Sequence, residues 1–270
     1  MARVYTSVNQ KGGVGKTTTT INLGAYLAHF GQRVLLVDLD PQANATSCLG
    51  IDKSLVKTGT YQALSDRRAT NHGILRNPQL KLSLLPSTPD MAGAEVELVE
   101  EAGREHKLKE ALATVKDRYD YILIDCPPSL GLLTLNGMIA AEDGLIIPVQ
   151  CEYLALEGLG MLMDTVERVR KSIFPQLRVR GVLLTMYDNR TNLSQEVVDE
   201  VRKHFKEKAF RTIIPRSIRL AEAPSHGLPI LAYYPSSPGA EAHRALAEEV
   251  LAQDGVKITP LAPVEAGTEV

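Results

Sequence analysis

Apolar and polar positions alternate between two patterns along this chain. Short, nearly continuous apolar runs recur at Arg3–Val8, Gln32–Asp38, Leu82–Pro86, Tyr119–Asp125, Gly144–Val149 and Arg180–Asp188. Runs of that length without polar interruption predict strands covered on both faces. Between them lie longer stretches with apolar residues three and four apart, which predict helices: Thr19–Leu27, residues 159–173, Ser194 to about Lys208, and Gly239–Gln253. In the third of these, Val197, Val198, Val201 and Phe205 share a face and Ser194 is a fair N-cap. Gly31 fits the C-cap that ends the first helix. Residues 43–79 are weakly patterned apart from a short helix at Tyr61–Leu64, residues 91–115 read as a charged helical region, and Ile213–Ser225 reads as a last strand and a loop. Strands alternating with helices imply an α/β fold with a doubly wound, mainly parallel sheet flanked by helices. One domain is expected over residues 1–253, with 254–270 as a flexible C-terminal tail of prolines and small residues.

Composition narrows the class. The chain has 270 residues, enough for a substantial core, and 44% hydrophobic with 23% charged residues is ordinary for a soluble globular protein. Its net charge of −2 gives no global field toward nucleic acid or anionic lipid, so any such attraction needs a local patch. No segment approaches the roughly 18–20 consecutive apolar residues of a membrane span, and the N-terminus runs directly into a strand rather than a signal peptide. Three cysteines, Cys48, Cys126 and Cys151, are too few and too irregular for a disulfide framework or a zinc site, so a cytoplasmic location is expected.

Chemistry concentrates after the first strand. Lys11-Gly12-Gly13-Val14-Gly15-Lys16-Thr17-Thr18 joins that strand to the first helix. Strand, glycine-rich turn, Gly-Lys-Thr and helix form a phosphate-binding arrangement. Glycines let successive N–H groups turn toward phosphate oxygens, and the helix N-terminus adds a positive dipole end. Lys16 can then reach the β- and γ-phosphates and the Thr17 hydroxyl can hold Mg²⁺. Two further strands end in acids. Asp38 and Asp40 stand on alternate residues, pointing the same way at the edge where open α/β sheets bind ligands, and Asp125 ends the strand before Pro127 and Pro128. Asp125 reads as a Walker B-like element that serves Mg²⁺ through a bound water, and Cys126 as a buried small residue.

The general phosphate-loop spacing would place a glycine at Gln10, and a second lysine, Lys11, stands next to it instead. In this the loop resembles the deviant Walker A motif of the ParA/MinD superfamily of dimerising ATPases. The Val37-Asp38-Leu39-Asp40-Pro41-Gln42 and Ile214-Pro215-Arg216-Ser217-Ile218-Arg219-Leu220-Ala221-Glu222-Ala223-Pro224-Ser225 segments extend the resemblance over nearly the whole chain to residue 253, closest to the ParA/Soj chromosome and plasmid partition ATPases. The resemblance implies ATP and Mg²⁺ as cofactors. It implies that Asp40 positions or activates the attacking water, that Asp38 lies close to the Mg²⁺ shell, and that Pro215 and Ser217 touch adenine. It implies an ATP-dependent homodimer in which Lys11 reaches across to the partner's nucleotide as an arginine finger does. That dimer would bind double-stranded DNA without regard to sequence, associate with the nucleoid, and be released when a ParB/Spo0J-type partner stimulates hydrolysis.

Charge distribution agrees with a confined DNA patch. Arg168–Arg219 holds thirteen Lys or Arg and five Asp or Glu, on a chain whose total is negative. The resemblance raises Arg190 and Arg219 as phosphate-contacting residues, with Arg216, Lys203 and Lys206 behind them; aromatic interleaving for base stacking is missing. The leading alternative is a MinD-like membrane-cycling division-site ATPase. It requires a C-terminal amphipathic helix, whereas Gly255–Glu265 is broken by prolines and ends acidic, so no membrane partner is expected. An iron–sulfur reductase would need two cysteines per subunit in matching contexts, and a metabolic amidoligase or kinase would need a further substrate pocket.

Overall fold

The computed structural model describes residues 1–258. Its strands are β1 (Arg3–Ser7), β2 (Val34–Asp38), β3 (Leu75–Asn77), β4 (Leu82–Leu85), β5 (Tyr121–Asp125), β6 (Gly144–Gln150), β7 (Val179–Tyr187) and β8 (Ala209–Pro215). They form one eight-stranded sheet in the order β3-β4-β2-β5-β1-β6-β7-β8. All neighbours are parallel except β3 with β4. This is the doubly wound, mainly parallel α/β sheet that the strand–helix alternation implies.

Period-two alternation explains the two-sided core. Leu36, Leu84, Leu123 and Leu183 face one layer, built by the helices Lys16–His29 and Pro238–Gln253. Leu35, Val37, Ile122 and Ile124 face the other, under helices Met91–Glu97, Lys107–Ala113 and Leu132–Ala140. Leu145, Ile147, Val182 and Leu184 continue that side beneath helices Ala155–Ser172 and Asn192–Phe205. The helix Lys16–His29 lies hard against the sheet at Gly24, where a Cβ would stand 2.6 Å from Leu36 Cδ2. Gly31 takes φ 86°, and its N–H bonds Ala28 O, so it ends that helix as expected.

Several boundaries differ from the sequence pattern. The helix Leu132–Ala140 gave no amphipathic signal because it is apolar almost all round and mostly buried. The charged helical region 91–115 consists of two helices, Met91–Glu97 and Lys107–Ala113, parted by turns that include Gly103 at φ 70°. Thr191, not Ser194, caps the helix Asn192–Phe205: Thr191 Oγ1 accepts from Ser194 N at 3.4 Å. β8 begins at Ala209 rather than 213, its outer edge covered where the Glu249 carboxylate accepts from Arg211 N and Thr212 N at 2.8 and 2.9 Å.

At the opposite edge from the strand C-termini, Asp254 ties the last helix to the sheet. It accepts from Tyr5 Oη at 2.8 Å, Tyr121 Oη at 2.9 Å and Arg180 Nη2 at 2.9 Å. Residues 259–270, most of the segment expected to be a tail, lie outside the described residues, as does most of the stretch weighed as a membrane-binding helix. Among the described residues no helix is long and apolar enough to cross a membrane.

Candidate nucleotide site

Register brings the site together. Ser7 pairs with Asp125 and Asp38 pairs with Asp125, so β1, β2 and β5 end level. The glycine loop leaves β1 at that line, with Asp125 on the adjacent strand β5 and Asp38 one strand further along on β2. Within the loop, Gly13 and Gly15 take φ 73° and 91°, the left-handed region that a side chain resists. Gly15 is the N-cap of the helix Lys16–His29, so its amides open at a helix N-terminus. Two residues pin the loop from below: Asn9 Nδ2 donates to Pro148 O at 2.7 Å while its Oδ1 accepts from Lys11 N, and Thr185 Oγ1 donates to Val14 O at 2.8 Å.

Lys16 is buried, and its Nζ arches over the loop to Lys11 O at 3.1 Å. Burial lowers its ammonium pKa, while Asp125 and Asp40 act the other way. The Thr17 hydroxyl donates to Asp125 Oδ2 at 2.7 Å, and Thr20 reaches Asp125 Oδ1 at 3.4 Å. Burial pushes the Asp125 carboxyl up to about 8, with neighbouring Asp38 adding to the rise. Asp38 is fully buried and raised to about 6, chiefly by burial. Its oxygens accept from Thr46 Oγ1, Thr46 N and Asp40 N, so it stands behind Asp40 and shapes that turn. Asp40 Oδ1 accepts from Gln42 N at 2.9 Å, and Asp40 lines the cleft itself.

The cleft has a volume of about 290 Å³ and is walled by Gly12, Gly13, Gly15–Thr18, Asn22, Asp40, Cys48 and Pro128. A second cavity of about 230 Å³ adjoins it, sharing Gly15, Thr18, Met186 and Leu220 and lined further by Pro215, Arg216, Ser217 and His243. Met186 at the end of β7 takes φ 52°, a strained value for a non-glycine residue where the two cavities meet. A carboxylate raised by burial and then by neighbouring carboxylates, with a threonine hydroxyl at its oxygen, suits a hard cation. Among the described residues no group of three or more His, Cys, Asp or Glu is arranged to hold a metal unaided. Mg²⁺ commonly completes its shell with waters and substrate phosphates instead.

The remaining candidates lie around this edge. Lys11 Nζ pairs with Glu152 Oε2 of its own chain at 3.2 Å, both side chains half-exposed. Tyr187 pairs with Pro215 across β7 and β8, so the turn carrying Arg190 and the short helix Ile218–Glu222 carrying Arg219, which stands where a loop was expected, leave neighbouring strands side by side. Each arginine has a carboxylate partner: Arg190 forks onto Asp188 at 2.9 and 2.6 Å, and Arg219 Nη1 reaches Glu222 at 2.7 Å. Hydrogen bonds from Arg190 hold the Asp188 carboxyl well below the usual range. Asn9, Thr185, Thr46 and Met186 escaped sequence reasoning; only Asn9, directly before the glycine loop, carried a positional signal.

Strand, glycine loop, buried lysine and level aspartates define a P-loop nucleoside-triphosphatase fold of the ParA/MinD type. A family model described as an AAA domain matches residues 2–179. The chain is 54% identical over 252 residues to the sporulation initiation inhibitor protein Soj of Bacillus subtilis, covering 93% of this chain and 99% of that protein. It is 46% identical over 254 residues to the chromosome partitioning protein ParA of Caulobacter vibrioides, covering 93% and 95%. The chain belongs to this AAA-domain family of Soj/ParA chromosome-partitioning ATPases. Among solved structures, cobyrinic acid a,c-diamide synthase from Mycobacterium smegmatis with bound ATP analogue and magnesium superposes with a TM-score of 0.82 at 38% identity, over 97% of this chain and all of that one.

Proposed function

We propose that this chain binds and hydrolyses ATP with Mg²⁺, and that the nucleotide switches it between a monomer and a homodimer that binds duplex DNA without regard to sequence. The observation that carries the reading is the convergence of buried Lys16, the Thr17–Asp125 hydrogen bond at 2.7 Å and Asp40 on one cleft at the glycine loop. Backbone amides of Gly13–Thr18 and the Lys16 ammonium bind the phosphates. Bound Mg²⁺ would neutralise phosphate charge, held by Thr17 directly and by Asp125 through water, with Asp38 in the layer behind. Asp40 orients the attacking water: Oδ1 is fixed by Gln42 N and, among the described residues, nothing bonds its Oδ2. Pro215 and Ser217 receive the adenine in the adjoining cavity.

Dimerisation draws Lys11 away from Glu152 toward the partner's phosphates. An exposed pair of this kind is worth at most about 1 kcal/mol, a barrier that charge-assisted phosphate contacts exceed. The DNA surface combines the Arg190 turn and the Arg219 helix of two subunits, and a ParB/Spo0J-type partner ends the cycle on the nucleoid by stimulating hydrolysis. The experiment is light scattering with Mg·ATP. Asp40→Ala should accumulate dimer without turnover, and Gly12→Val should bind ATP yet stay monomeric. A Cβ at Gly12 meets only Pro128 Cβ, at 3.9 Å, so the valine's effect reports on the partner rather than on folding. A normal dimer in Gly12→Val, or full turnover in Asp40→Ala, contradicts the scheme. The mycobacterial neighbour's name raises amide synthesis as a second reading; ATP turnover without any carboxylic acid acceptor separates the two.

A further inference from the structure

Positive charge gathers at the edge of the sheet opposite the nucleotide site. A cavity of about 430 Å³ opens there, between the end of the helix Lys16–His29 and the β3–β4 pair, and Arg33, Arg76, Lys81 and Arg118 all line it. Val34 begins β2 at the cavity wall and Asp38 ends that strand in the nucleotide site, so about 13 Å of extended chain separates the two places. Strand pairing builds the wall. Arg76 stands opposite Ser83 in the β3–β4 ladder, so the two side chains share a face of the sheet. Leu80 N donates to Asn77 Oδ1 at 3.0 Å in the turn after β3, and Lys81 follows at φ 52°. Arg33 and Arg118 stand close ahead of the neighbouring strands β2 and β5. Arg33 is already balanced, since it forks onto Asp120 at 3.0 and 2.7 Å. The other three are not. Arg118 donates to Asn71 Oδ1, a neutral acceptor, and among the described residues Arg76 and Lys81 have neither an ion pair nor a side-chain hydrogen bond. No Asp or Glu lines the cavity, whereas Arg190 and Arg219 are each held by a carboxylate. All four cations stay exposed, so an incoming ion reaches them.

We propose that this cavity is a second anion site, which binds an oligophosphate chain, free or carried by a nucleotide, through Arg76, Lys81 and Arg118. Like charges on one concave wall focus a potential that scattered surface cations do not produce. Guanidinium forks match pairs of phosphate oxygens, and the lysine ammonium adds a point charge. A single sulfate or phosphate balances part of this charge, whereas linked phosphates can span it. The volume falls within the range of small-molecule sites. A concave wall favours such a compact anion over a duplex, whose convex surface meets only the rim.

The test is calorimetric titration of sodium tripolyphosphate, without Mg²⁺, into full-length Lys16→Ala, whose phosphate loop should no longer compete for the probe. Three further changes are made in that background: Arg76→Glu with Lys81→Glu, Arg118→Gln, and Lys171→Glu. Lys171 is an exposed cation on the helix Ala155–Ser172, over the far half of the sheet. One equivalent should bind per chain. Reversal at Arg76 and Lys81 should weaken it by about tenfold or more, and Arg118→Gln by several-fold. Lys171→Glu should leave it unchanged at roughly 0.15 M salt, where exposed charges beyond about 8 Å are screened. Competition by ATP would make a nucleotide's phosphates a ligand of the site, and binding without such competition would restrict it to free oligophosphate; both uphold the proposal. The absence of binding overturns it. So does equal weakening by Lys171→Glu, or equal displacement by sulfate at matched ionic strength, either of which reduces the effect to general charge. A short duplex that depends on Arg76 and Lys81 while tripolyphosphate fails to bind would assign the face to nucleic acid instead. The ATPase reading is tested separately: if Lys16→Ala still binds phosphate at the loop, a second equivalent appears that reversal at Arg76 and Lys81 does not remove.

Discussion

Acid should destabilise this protein through His243 in a measurable, separable way. The group is fully buried, its pKa falls from 6.5 to about 4 through burial, and the bond to Gly239 O offsets only part of that loss. Between those values the unfolded chain takes up a proton that the folded chain refuses, so protonation favours unfolding. The native imidazole is at no disadvantage above pH 6.5, loses ground as pH falls through the window from 6.5 to 4, and reaches its full deficit below. At 1.36 kcal/mol per unit, the whole window is worth about 3 kcal/mol, of which about 2 kcal/mol is spent between pH 7.5 and 5. Other carboxylates and histidines titrate there too, so the quantity to measure is the gap between wild type and His243→Phe by urea unfolding at a series of pH values. Wild type should lose about 2 kcal/mol relative to the variant from pH 7.5 to 5. The phenylalanine shifts the gap by a constant whatever its packing. A gap that does not move with pH would refute the neutral, buried imidazole.

Further outcomes follow from other parts of the structure. Asp254→Ala leaves the Tyr5 and Tyr121 hydroxyls and the Arg180 guanidinium without their acceptor, and should cost about 3–5 kcal/mol in chemical denaturation while leaving ATP affinity intact. Lys16→Ala should abolish ATP binding by calorimetry, a loss of at least about 1.5–3 kcal/mol for one charge-assisted contact. Arg190→Glu and Arg219→Glu should weaken binding to all duplexes alike and flatten the dependence of log K on log salt, with little change in DNA-free hydrolysis, since both side chains are held by Asp188 and Glu222 away from the cleft.

Much of this was legible because the relevant physics is local. Glycines before Lys16-Thr17, and aspartates ending apolar runs, announce themselves in the chain, and the parallel sheet then sets Asp38 and Asp125 level with the loop. What stayed hidden is tertiary. Thr185 supports Val14 from 171 positions away, and Thr46 closes on Asp38 from a weakly patterned stretch. The helix Leu132–Ala140 is apolar almost all round and mostly buried, so periodicity had nothing to report. β8 is an edge strand whose exposed Arg211 breaks the apolar run by which its inner neighbours were found. His243 looked like one more position in a helix, and only its lost Nε2 partner sets it apart. The Arg190–Asp188 pair lies two residues apart and could have been anticipated from the Asp-Asn-Arg turn.

The central claim is that the nucleotide in this cleft controls a DNA-binding dimer, and DNA affinity with and without Mg·ATP tests it most directly. One subunit offers few phosphate contacts, so binding without nucleotide should be weak and easily screened, whereas a dimer turns the second set of contacts into an intramolecular event. Mg·ATP, and more so Mg·ATP with Asp40→Ala, should raise affinity for any duplex sequence and steepen its salt dependence, and Lys16→Ala should not respond. Equal affinity with and without nucleotide in the wild-type protein, at the same salt slope, would contradict the account.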